Sequence, residues 1–111
     1  MKQHLETLTE YIQIYKDCDV TQDGNTLSEC AQQIASTLFF LEIERAKYHD
    51  LWQKVVYKLV LEGTPVNRAE NQAHVLHPEM YQLRRIMDAA YENLNAIRSQ
   101  LSWIKAGLSN Q

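Results

Sequence analysis

The sequence predicts an all-α protein: a long antiparallel, coiled-coil-like helical hairpin with a short N-terminal helix and a short corner helix, assembling into an oligomeric helical bundle. Three observations predict this. Glycine and proline are scarce, three and two in 111 residues, so breaks are few and elements long. Apolar residues recur at alternating steps of four and three along two long stretches, the spacing of one helix face. A turn-rich corner, GTPVNRAENQAHVLHP, separates the two stretches. At this length the chain makes one domain with a modest core.

The first helix is predicted over about 2–16, where Leu5, Leu8, Ile12 and Tyr15 share a face. The following DVTQDGNTLSEC resembles a calcium loop in its first half, with Asp19, Thr21, Asp23 and Gly24 at positions 1, 3, 5 and 6. Position 12 is then Cys30, which offers a hard cation no carboxylate, so no metal site is predicted. The same residues serve as a turn at Asp23-Gly24, with Thr26 as N-cap and Glu29 closing a capping box.

The second helix is predicted over about 27–62. Its apolar line is Leu27, Ala31, Ile34, Leu38, Leu41, Tyr48, Trp52, Val55 and Leu59, interrupted by Arg45. That is a heptad pattern held for more than four heptads, ~50 Å of helix. Gly63 stops it as a left-handed residue, with Pro65 just beyond. Within the corner segment 63–78, Thr64 and Pro65 suit the N-cap and first turn of a short helix, and Pro78 ends it. The last helix is predicted over about 79–106, with Leu83, Met87, Ala90, Leu94, Ile97, Leu101 and Ile104 on its stripe and a stop at Gly107-Leu108.

Apolar residues lie off these stripes as well. Phe39, Phe40, Ile43, Val56 and Val60 on the second helix, and Trp103 on the last, exceed what one hairpin buries. They are assigned to an oligomer or partner interface, with a homodimer favoured. The two stripes also permit a swapped arrangement between chains.

Charge is divided unevenly. Residues 1–44 hold two lysines against eight acids, while residues 45–111 hold nine basic residues against six acidic. This excludes indiscriminate nucleic-acid binding and leaves room for a local basic patch. The candidates are Arg84, Arg85, Arg98 and Lys105 on the last helix, with Lys54 and Lys58 on the second, where phosphates are contacted while Tyr57, Tyr81 or Trp103 stack on bases. The bland alternative is a set of solvated faces balanced by neighbouring acids.

Cys18 and Cys30 form no CxxC and lack a histidine cluster at zinc spacing, so they are read as ordinary thiols. Glu70, His74 and His77 are spaced four and three, but no second ligand set accompanies them. His49 and Asp50 are adjacent and diverge on a helix. No nucleophile, phosphate-loop or metalloprotease motif occurs, so no enzyme activity, cofactor or catalytic residue is predicted. The opening MKQHLETLTEY lacks the apolar core of a signal peptide, and no run approaches the ~20 apolar residues of a membrane span. A soluble cytoplasmic protein without membrane partners is the expectation.

EGTPVNRAENQA, followed by HPEMYQLRRIMDAAYENLNAIRSQLSWIK with its Arg-Ser-x-x-Ser-x-x-Lys ending, resembles small all-helical accessory proteins of tailed phages and prophages found near replication or recombination genes. The resemblance covers roughly residues 27–106. It implies a non-enzymatic oligomer that assists DNA recombination or replication by touching single-stranded DNA or a recombination protein. Two alternatives stand beside it: an inhibitor or adaptor that binds a host protein or sequesters a small signalling molecule, and a structural assembly protein.

Overall fold

The structure is a computed structural model that describes residues 2–19 and 23–109. Every element among them is helical: α1 (Lys2–Asp17), α2 (Gly24–Leu61), α3 (Val66–Leu76) and α4 (Glu79–Ser109). The chain divides into two compact units, one of Met1–Leu41 with Met87–Gln111 and one of Glu42–Ile86. Each long helix therefore contributes a segment to both.

In the first unit, α1 packs with the first part of α2 and the last part of α4. Leu8, Leu27, Ile34, Leu38, Leu41, Met87, Ala90, Leu94 and Ile97 are all buried, as the four-and-three spacing requires. The start of α2 lies beside the end of α4, since a Cβ built on Gly24 would sit 3.8 Å from Ile104 Cγ2. The two long helices are antiparallel here. Cys30 and Thr37 are buried too, which widens the apolar face of α2 beyond a two-helix seam and lets it serve two neighbours. His4 of α1 stacks on Phe40, with centroids 5.1 Å apart and rings 8° from parallel.

In the second unit the fully buried residues are small or few: Ala69 and Ala73 on α3, and Leu83 on α4. The two alanines are one turn apart, so they lie on one α3 face and keep that face thin enough for close helix approach. The later part of the α2 line, Tyr48, Trp52, Val55 and Leu59, is only half-buried.

Helix ends follow local chemistry, in places differently from the sequence expectation. The N-cap of α2 is Asp23, not Thr26: the Thr26 N–H donates to Asp23 Oδ1 at 3.0 Å. α2 thus begins at Gly24, three residues early. Hydrogen bonds from the Thr26 side chain and backbone hold the Asp23 carboxyl below the usual carboxylate range. Glu29, free of any capping box, accepts from Gln33 Nε2 at 3.2 Å. Thr21 of the calcium-loop register lies outside the described residues.

Gly63 ends α2 as expected, with φ +98°. The Gly63 N–H donates to Val60 O at 3.0 Å and the Thr64 N–H to Leu59 O at 2.9 Å, the paired bonds of a Schellman motif. Pro65, rather than Thr64, occupies the N-cap of α3 and makes no side-chain cap; its carbonyl accepts from Ala69 N at 2.9 Å. His77 stands at φ −129°, ψ 69°, outside the helical region that the following proline disfavours. The expected stop at Gly107 fails: α4 runs on to Ser109, because Gly107 does not take the positive φ of a helix-ending glycine.

Candidate binding site

The chemistry-bearing side chains gather in the second unit. On α2, Arg45, His49 and Trp52 are spaced four and three and so share a face. Glu70 and His74 repeat the step on α3, and Met80 and Arg84 on α4. These side chains, with Glu42 and Ala46, line a half-open cavity of about 470 Å³, within the size range of small-molecule sites, with His49 and Arg84 exposed at its mouth.

A ladder of rings runs through one wall. His49 stacks on Trp52 at 5.8 Å and 21°; Trp52 meets His74 at 5.3 Å and 41°; His74 meets the Tyr81 edge at 6.4 Å. The Arg85 guanidinium closes the series 5.9 Å from the Tyr81 centroid, within cation–π range. The ladder thereby links α2, α3 and α4. At its centre Trp52 Nε1 and His74 Nδ1 are buried and lack a hydrogen-bond partner among the described residues. Each such atom costs roughly 1–3 kcal/mol when left unpaired.

Charges around the cavity are mixed. Arg45 Nε lies 4.0 Å from Glu42 Oε2 with both side chains partly exposed, a loose contact for the guanidinium. Among the described residues no group of three or more His, Cys, Asp or Glu could hold a metal ion. His77 does not join Glu70 and His74 in the cavity wall.

The basic candidates are dispersed. Arg84 faces the cavity and Arg85 lies over Tyr81, so these neighbours serve different places. Lys54 pairs with Asp50 at 2.9 Å, and Lys58 is exposed in the last turn of α2. Arg98 and Lys105 belong to the first unit and are exposed. Of the interface candidates, Phe39, Phe40, Ile43, Val60 and Trp103 are exposed within the chain, Trp103 at 77%, while Val56 is half-buried. Phe39 meets Phe40 edge-on at 5.6 Å.

Burial pushes the thiols of Cys18 and Cys30 up, and nearby negative charge adds to the shift. Neither is a poised nucleophile.

The sequence placed Trp52 on the apolar line of α2, found no second ligand set for Glu70, His74 and His77, and set His49 and Asp50 apart on the helix. One signal pointed to the cavity. Arg45 is the single polar interruption of the α2 stripe, and a charge set into an apolar line marks a place where that line meets something other than a leucine seam. Comparisons with protein families, with curated proteins and with solved structures returned no match. No helix among the described residues is long and apolar enough to cross a membrane.

Proposed function

We propose that this chain is a non-enzymatic, oligomeric helical binding protein of the phage accessory type, which contacts single-stranded DNA through the Tyr81–Arg85 edge of α4. The observation that carries the reading is the cation–π pair itself. Tyr81 is 54% exposed with the Arg85 guanidinium 5.9 Å from its ring. A flat ring beside a fixed positive charge is what a stacked base and its phosphate require. Arg84 is its neighbour in sequence, and Tyr57 on α2 is also exposed. Exposure of Phe39, Ile43 and Trp103 supports the homo-oligomer, since a partner copy is what such residues gain most from.

Fluorescence anisotropy of a labelled oligothymidine, at low and then moderate salt, tests the reading. The expected result is binding that weakens as salt rises, as displaced counterions demand, and that falls at least tenfold in Arg85→Glu. Absence of binding at low salt would overturn direct DNA contact.

A further inference from the structure

The cavity is not needed for a surface contact through Tyr81 and Arg85, yet it gathers two arginines, two histidines, a tryptophan and two glutamates. We propose that it is a separate binding site for a nucleoside monophosphate, free or as the terminal nucleotide of a strand.

Three features carry this. Arg45 and Arg84 bring two guanidiniums to one cavity from different helices, and guanidinium is the side-chain group whose donors best match phosphate oxygens. The 4.0 Å contact of Arg45 with Glu42 leaves Arg45 able to turn to a stronger anion. Second, the His49–Trp52–His74 rings provide an aromatic wall, against which a planar base gains stacking energy that aliphatic ligands do not.

Third, the Trp52 and His74 nitrogens are unsatisfied, and the Glu70 carboxylate lines the same cavity. Trp52 donates, a His74 ring nitrogen donates or accepts, and the Glu70 carboxylate accepts. A nucleobase edge presents both donors and acceptors, so it answers all three. Both ring nitrogens are closed to solvent in the free chain. A base reaches them only if the Trp52 and His74 side chains turn, so the guanidiniums engage phosphate first and the nitrogens gain partners after that turn. A bare phosphate or a purely apolar ligand would satisfy only part of this lining.

The test uses Trp103→Phe, which leaves Trp52 as the sole tryptophan. Its emission is followed while AMP, GMP, CMP and UMP are added in turn, with inorganic phosphate and adenosine as partial ligands. A saturable change with at least one nucleotide is expected, at least tenfold weaker with either partial ligand. Arg45→Gln in the same background should weaken binding at least tenfold with helical circular dichroism retained; Arg84→Gln serves if that variant does not fold. No saturable change with any of the four up to millimolar concentration overturns the proposal, as does wild-type binding by the folded arginine variant.

The arms also separate this site from the DNA surface. Arg45→Gln should leave the binding of an oligothymidine without terminal phosphates unchanged. Oligonucleotide binding with no nucleotide response sinks the cavity alone, whereas nucleotide binding without oligonucleotide binding supports the cavity and sinks the surface contact. An oligonucleotide bearing a 5′-phosphate that competes with AMP identifies the strand end as the source; one that fails to compete identifies the free nucleotide.

Discussion

The two units are cut from the same pair of long helices, but they fill their interiors in opposite ways. The first buries leucine, isoleucine and methionine from three helices, with Leu27, Ile34, Leu41, Met87 and Ile97 at 0% exposure. The second fully buries two alanines and one leucine, turns arginine, histidine and glutamate toward a cavity, and leaves Tyr57, Leu61, Val75 and Leu76 exposed. Apolar burial contributes about 25 cal/mol per Å², so the first unit carries most of the stabilising area. The second keeps polar groups where apolar ones would pack better, as binding sites do at the expense of stability.

That contrast is open to a direct challenge in three steps of decreasing size. Leu38→Ala, in the seam of the first unit, should cost about 2–5 kcal/mol by urea unfolding followed by circular dichroism. A loss under about 1 kcal/mol would mean that the seam is not where stability resides. In the second unit the largest backbone effect belongs to Gly63. Nothing lies within 4 Å of a Cβ added there, so Gly63→Ala probes conformation alone and should cost roughly 1–2 kcal/mol for holding an L-residue at positive φ. Smallest is His74→Leu, which removes an unpartnered buried nitrogen. Relief of that atom's cost is offset by the lost ring contacts with Trp52 and Tyr81, so the net change in stability should be under about 1 kcal/mol in either direction, while the nucleotide response of Trp52 is abolished. A loss like that of Leu38→Ala would show His74 to be structural, erasing the difference between the units.

How far these units were legible in the sequence depends on what holds each. The α4 stripe was legible over most of its length: Leu83, Met87, Ala90, Leu94 and Ile97 are buried and Leu101 and Ile104 half-buried, because a rigid period projects directly onto one helix face. The α2 line was legible for its first half and misleading for its second, where Tyr48, Trp52, Val55 and Leu59 are half-buried. The period fixes which side a residue faces, not how closely a neighbour approaches. Ends were less secure. Asp23 and Thr26 are both good caps, and only the backbone path decides between them. Gly107 looks like Gly63 in sequence, but a glycine stops a helix only where its φ turns positive. The cavity was hidden for a different reason. Its donors come from positions 45–52, 70–74 and 84, and their meeting depends on how α3 lies against α2 and α4, which no local period encodes.

Arg45 has one further effect, on the route by which the chain finds its fold. A heptad stripe is nearly self-similar, so α2 displaced by seven residues would offer α4 another plausible set of knobs. In that slipped alignment Arg45 would take the place of Leu38, which is 1% exposed in the native seam. An unpaired guanidinium there would cost several kcal/mol in desolvation, which makes the nearest decoy on the folding landscape a poor trap.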